Sequence, residues 1–441
     1  MLHCGAAKAS INPELPIHLL GYRGDLVATG IHDDLHVAAL YLERGGERVA
    51  LLTYDTISLD AAFVDDVQRR CSEATGLPPR AILTTVSHSH STPGVRFNVK
   101  RAAESQPLFS AAYRERVLAR SAEALAAAVK SAEPAAVSYN SGRIRENLNR
   151  RVFFPSGQYF YQPKQKNLSG LSDGAVDDEL GVLFFKRLKG EGYVATLVNY
   201  TAHPLTVGDT STLASADYPG VLKREIEASL GGVALFVQGA CGDNHPLGAE
   251  AGFSRSEQMG LALAQKALYH RWDSVALDDP PLGCEYRELV LPEMSETEFR
   301  ALPQNFSFTW RPPREDLRVN GGLRAHVSLW ALGPILFVGV PGEVTAEWGL
   351  RLKWSSPFAK TFVMFLATDH IGYIPHRNAY EWGGYEVLTS PLGAEAGEVL
   401  AAEALKAANE LKRKMSAGGR KLHLPGAETG SAPANQPGAV K

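Results

Sequence analysis

An apolar, β-branched run, Ile82 to Val86, breaks off into Ser87-His88-Ser89-His90-Ser91-Thr92-Pro93-Gly94. The run has the length and residue types of a buried strand. Two histidines two apart at its end project the same way, because the side-chain period of a strand is two. Both imidazoles therefore face whatever lies above the sheet edge, where α/β proteins place their ligands. That is half of a metal site or a catalytic pair. The plainer reading is two polar residues closing a strand.

The same arrangement recurs. The apolar run over 193–200 leads to His203, and that over 233–237 leads through a glycine-rich stretch to Asp243 and His245. Glycines there let the backbone approach a ligand closely. The run over 335–340 ends in Pro341-Gly342-Glu343, and that over 361–367 leads to Tyr373. Two histidines plus a carboxylate, with open positions, form a catalytic-zinc set. Zinc at such a site lowers the pKa of bound water and polarises a carbonyl. Asp55 also follows an apolar run, as an active-site acid or as a helix cap. Asn147, Asn149, Arg150 and Arg151 cluster before an apolar triplet. Arginine offers a fork suited to carboxylate or phosphate, although a solvated loop is the ordinary reading.

Helical spacing appears over 61–73, 110–131, 219–230, 259–272 and the stretch around Leu400 to Met415. Strands alternating with helices in the N-terminal half and again near 219–272 suggest an α/β fold, a mixed sheet flanked by helices. One domain is expected over 1–415, with 277–320 as an excursion or minor subdomain and 416–441 as a disordered tail. Residues 155–175 read as a long loop, a lid or binding loop by length. A net charge of −3 and the lack of a basic stripe argue against nucleic acid as a partner. Four scattered cysteines without C-x-x-C spacing suit reduced thiols. No run approaches about 18 apolar residues, so no membrane span is expected. With no signal-peptide pattern, a cytoplasmic placement and a small-molecule substrate are expected.

These motifs, in this order, resemble the neutral, non-lysosomal ceramidases and their shorter bacterial relatives, over roughly residues 4–415. Ser87-His88-Ser89-His90-Ser91-Thr92-Pro93-Gly94 is similar to the family's Thr-His-Thr-His-Ser-x-Pro-Gly. Asn147-Leu148-Asn149-Arg150 resembles its Asn-Arg element, and Tyr200-Thr201-Ala202-His203 its second zinc-histidine segment. The segments at Pro341-Gly342-Glu343 and Gly372-Tyr373-Ile374 resemble those that give a glutamate and a tyrosine to the metal. The resemblance implies the family's α/β fold and one Zn²⁺ on His88, His203, Glu343 and Tyr373, with Tyr380 and Tyr385 as nearby rivals for the tyrosine. It implies that His90 and Arg150 stand behind the ligands or face the substrate. Histidine and carboxylate ligands also suit Mn²⁺ or Fe²⁺.

Two departures shape the functional expectation. The family's nucleophile is the serine of Gly-Asp-x-Ser-Pro, but here Gly242-Asp243-Asn244-His245-Pro246 puts a histidine in its place. The chain also stops before the family's C-terminal immunoglobulin-like domain. A membrane lipid is then a poorer expectation than a small polar, sugar-like molecule. The reading is a zinc-dependent hydrolase of an N-acyl amide, with His90 or His245 moving the proton and Arg150 stabilising charge. An ester or glycosidic bond with His245 as acid or base is the first rival. A non-catalytic binding protein is the second.

Overall fold

The computed structural model describes residues 1–22, 26–95, 110–153, 159–161, 174–248, 251–304, 308–310 and 313–417. Most of the loop expected at 155–175 and of the tail expected at 416–441 lies outside these residues.

The first sheet is built on β1 (His3–Ser10), β2 (His36–Arg44), β3 (Glu47–Tyr54), β4 (Ile82–Val86), β5 (Glu133–Arg143), β6 (Glu179–Arg187), β7 (Tyr193–Tyr200) and β8 (Val233–Gln238). Their order is β8-β7-β6-β5-β1-β2-β3-β4, and Val275–Leu277 pairs with β5 as a ninth strand. The pairs β3–β4 and β7–β8 are parallel and the others antiparallel, so the sheet is mixed. A second sheet carries β9 (Leu282–Leu291), β10 (Gly322–Leu332), β11 (Ile335–Gly339) and β12 (Lys360–Met364) in that order, with β11–β12 parallel. The stretch 277–320 therefore supplies a strand that pairs with β10 along its whole length.

Helices cover the outer faces. Helix α1 (Ala61–Thr75) starts where the Asp60 carboxylate accepts from Phe63 N at 2.8 Å and ends at left-handed Gly76. Its Phe63, Val64 and Val67 join Val117, Leu118 and Leu125 of α2 (Ala111–Lys130) over one half of the first sheet. Helices α3 (Asp217–Leu230) and α4 (Phe253–Tyr269) cover the other half. Helices α5 (Ala346–Ser355) and α6 (Ala396–Ala417) cover the second sheet. The inner faces of both sheets share one apolar cluster, in which Trp330 stacks flat on Phe337 at 4.4 Å. Gly181 of β6 permits the close approach, since a Cβ there would sit 2.1 Å from the Phe362 ring of β12. Among the described residues no helix is long and apolar enough to cross a membrane.

The apolar pattern extends the last strand to Ala367, but β12 ends at Met364. Leu366 has a φ of 48°, which a bulky side chain adopts only under constraint. The constraint is visible. Phe365 N donates to Gln238 O at 2.9 Å and Ala367 N to Val340 O at 2.8 Å, so the chain leaves the ladder to tie the sheets together. Thr84 and Thr85 of β4 donate side-chain bonds to Ala367 O and Phe365 O. Strand ends of both sheets are thereby drawn to one place.

A charged clamp joins the sheets elsewhere. Lys353 and Lys360, from the second-sheet layer, reach Glu179 of β6 at 3.1 and 2.5 Å, and Lys353 also reaches Asp177 at 2.7 Å. Burial alone would raise the Glu179 carboxyl, but the two ammonium groups outweigh it and hold it at about 2. The folded value lies below the unfolded one. The stabilisation is therefore complete above about pH 4.5 and lost as pH falls toward about 2. Glu179→Gln is expected to cost about 2–3 kcal/mol at neutral pH. Urea midpoints at pH 7 and pH 3 check this. The gap between wild type and variant should narrow on acidification, and a constant gap would contradict it.

Candidate metal centre

The ends of β4 and β7 bring three imidazoles together. His88 Nε2 lies 3.2 Å from His203 Nε2 and 3.3 Å from His90 Nε2. Glu343, from the turn after β11, places Oε2 3.6 Å from His88 Nε2 and 3.5 Å from His203 Nε2. His88, His203 and Glu343 are buried, and His90 is partly so.

Local backbone explains the convergence. His88 has a φ of 68°, a left-handed conformation that costs a non-glycine residue about 1–3 kcal/mol. Ser87 N bonds to Tyr54 O and His88 N to Thr56 O, which holds that turn. His203 N is fixed to Asn244 O at 2.9 Å. Gly242 passes so close to the glutamate's strand that a Cβ would sit 2.7 Å from Glu343 O.

The ring contacts set the tautomers. His88 Nδ1 faces Ile57 O at 2.5 Å, His203 Nδ1 faces Cys241 O at 2.5 Å, and His90 Nδ1 faces Gly21 O at 3.0 Å. A carbonyl only accepts, so each Nδ1 carries the hydrogen and each neutral ring turns a bare Nε2 inward. Burial pushes His203 down to about 4, and burial with its histidine neighbours holds His90 well below the ordinary range. The His203 and His90 rings are thus neutral near pH 7. Burial would raise the Glu343 carboxyl, but its histidine neighbours outweigh it and hold it well below the carboxylate range, with His370 placed to donate from Nε2 to Oε1 at 2.9 Å. Its Oε2 is buried and accepts no hydrogen bond among the described residues. Three lone pairs and an anionic oxygen crowd together, an arrangement that a cation relieves. The donor set of imidazole nitrogens and a carboxylate fits a divalent ion.

Sequence reasoning set His90 apart from the ligand set, yet its Nε2 stands as near His88 as that of His203 does. Tyr373 is Glu343's partner in a short parallel ladder, so the two side chains leave the same face. Tyr380 is tied elsewhere, its hydroxyl donating to Leu392 O at 2.8 Å. Tyr385 packs edge-on against Tyr373 at 5.6 Å. Arg150 lies over both rings, at 5.8 and 5.2 Å from their centroids. Its Nε donates to Glu386 at 2.6 Å and its Nη1 to His245 Nε2 at 2.7 Å. The Asp243 carboxylate takes bonds from Asn149 Nδ2 at 2.7 Å and from Ala346 N at 2.8 Å. Asn147 donates to Asp177 O and Thr201 O. Arg151 donates to the other oxygen of Glu386 and to Gly383 O. The asparagines, Asp243 and Arg151 thus knit the loops beneath the site. Asp55 is taken by Lys223 and the His36 amide.

Two functional candidates escaped sequence reasoning. His370 Nε2 lies 2.9 Å from Glu343 Oε1, and Asp369 Oδ1 accepts from the His370 amide and from Arg314. Glu386 is the buried counter-ion of two arginines. His370 had a signal, since it follows a strand end. Glu386 had none, because Tyr385–Leu388 is a single helical turn. From Glu343 and His370 a cavity of about 400 Å³ opens between Phe299, Phe308, Trp310 and Tyr385.

Two stacked α/β sheets with a histidine–carboxylate cluster where their strand ends meet define a hydrolase fold able to hold a metal. The family model for neutral/alkaline non-lysosomal ceramidase, N-terminal, matches residues 3–256, and the chain belongs to that family. The neutral ceramidase of Pseudomonas aeruginosa shares the fold with a TM-score of 0.75 and 18% identity, over 94% of this chain and 75% of that one. A structure described as "Ceramidase complexed with C2" gives 0.74 and 17%, over 94% and 76%. A search of curated proteins finds no match.

Proposed function

We propose that this hydrolase cleaves an N-acyl amide of a small polar metabolite, with a divalent ion held by His88, His90, His203 and Glu343. Zinc suits this donor set best, and Mn²⁺ or Fe²⁺ would also fit. Tyr373 is the remaining candidate ligand. The observation that carries the reading is the convergence of the Nε2 atoms of His88, His90 and His203, with an oxygen of Glu343 3.6 and 3.5 Å from the first and the last of them. Such an ion, when bound, polarises a carbonyl and makes water a nucleophile near neutral pH.

The chain's own residues do the remaining work. His370 holds Glu343 by Oε1, which leaves Oε2 toward the imidazoles. Arg150, fixed by Glu386, lays a positive charge beside Tyr373 and Tyr385, where it can face charge developing on the substrate. The aromatic walls suit a flat or ring-shaped substrate such as an N-acyl sugar, and the cavity's volume suits a small one.

The test joins metal analysis of purified protein to a panel of N-acyl amino acids, N-acetyl sugars, esters and glycosides. One equivalent of metal and turnover of an amide are expected. Turnover of only esters or glycosides would overturn the choice of bond. Absence of metal together with silence across the panel would favour a binding protein.

A further inference from the structure

His245 stands where the family's serine would stand, and its two ring nitrogens have unequal surroundings. Nε2 lies 2.7 Å from Arg150 Nη1. A guanidinium has only donors, so Nε2 is the accepting nitrogen and bears no hydrogen. The hydrogen of the neutral ring is then on Nδ1. That atom is buried and has no hydrogen-bond partner among the described residues. An unmet buried donor costs about 1–3 kcal/mol, so a site that keeps one is built for a partner from outside. The ring lies beside the metal-candidate His203, centroids 5.0 Å apart.

Neither partner of this contact is free to turn. Asn147–Asn149 and Asn244–Pro246 form a two-stranded ladder that pairs Leu148 with His245. Arg150 N donates to Asp243 O at 2.9 Å, and the guanidinium is anchored on Glu386.

We propose that Arg150 locks His245 in the Nδ1–H tautomer and that this N–H is a hydrogen-bond donor to the substrate, not a base. The donor role rests on the hydrolase reading above. A base would need its bare nitrogen toward the substrate, and that nitrogen faces Arg150 instead. A fixed N–H suits a carbonyl oxygen that gains negative charge during hydrolysis. No bond forms at His245, so the serine's covalent step has no counterpart in this side chain.

The tautomer is read by long-range ¹H–¹⁵N correlation on full-length, metal-free protein with ¹⁵N-histidine. The His245 signal is the one lost in His245→Asn. Hydrogen on Nδ1 is expected in wild type, with loss of that preference in Arg150→Gln. Hydrogen on Nε2 in wild type overturns the proposal. This measurement needs neither metal nor substrate, so it stands or falls apart from the hydrolase reading.

The donor role is read by kinetics on an amide that the wild type turns over. Asparagine's NH₂ occupies about the place of Nδ1–H, whereas leucine offers no donor. His245→Asn is expected within about tenfold of wild-type kcat, and His245→Leu to lose roughly 10²–10³-fold with little change in KM. Equal losses in the two variants overturn the donor role. If His245→Leu does not fold, the tautomer measurement decides.

Discussion

His88→Ala is expected to leave a folded chain that holds no stoichiometric metal and has no measurable turnover. His88 Nε2 is the hub of the cluster, within 3.3 Å of both other imidazole nitrogens and 3.6 Å from Glu343. Removing it leaves His90, His203 and Glu343 without their common neighbour. The fold should survive, because alanine adds no strain to the left-handed backbone that histidine already occupies and leaves the apolar cores untouched. Metal content by elemental mass spectrometry, with circular dichroism as the control for folding, reads the result. His370→Ala is the graded comparison. It removes the bond to Glu343 but no inward-facing lone pair. A support of that kind is worth roughly 10–100-fold in metal affinity. Full metal occupancy in His88→Ala would refute the assignment of this cluster as the metal centre.

The largest expected loss of stability comes from Glu386→Ala. Glu386 is fully buried and accepts from Arg150 at 2.6 Å and from Arg151 at 2.7 Å. Burial would raise its carboxyl, but the two guanidinium groups outweigh it and hold it below its ordinary value. Without Glu386 two buried cations lose the carboxylate that they share. Breaking a buried pair from one side costs about 3–5 kcal/mol, and here two pairs break together. Urea unfolding of wild type and variant measures this. A loss under about 1 kcal/mol would mean that water or another anion takes the carboxylate's place. Glu386→Gln, which keeps the shape and loses the charge, should fall between the two.

Much of the site could be read from the sequence because its chemistry sits at the ends of apolar runs. His88, His203 and Glu343 each follow a strand whose pattern is plain, so their placement at a sheet edge was legible. The second sheet was less so. Leu282–Leu291 alternates only weakly and lies within a Pro-rich, charged stretch, so its pairing with β10 left little trace in the local pattern. The convergence itself is tertiary. Nothing in residues 361–367 announces that the chain leaves β12 at Phe365 to bond to Gln238. Glu386 and His245 show the same limit. Each gains its meaning from Arg150, a partner distant in sequence that only folding supplies.

The site draws its histidines from strand ends of the first sheet, and Glu343 and Tyr373 from a short ladder that follows the strands of the second. In the language of thermodynamic linkage, a ligand that engages both sheets is a clasp as well as a reagent. It stabilises only conformations in which the two are docked, by RT ln(1 + [L]/Kd). Chelation should therefore lower the melting temperature by weakening the docking of two layers, not by unravelling either one. The matched segment, 3–256, closes before Glu343. Expressed alone, that half would carry every histidine of the cluster and still lack its anion. Adding the second half as a separate chain is a complementation assay in which recovered metal affinity reports the assembly of the sheets.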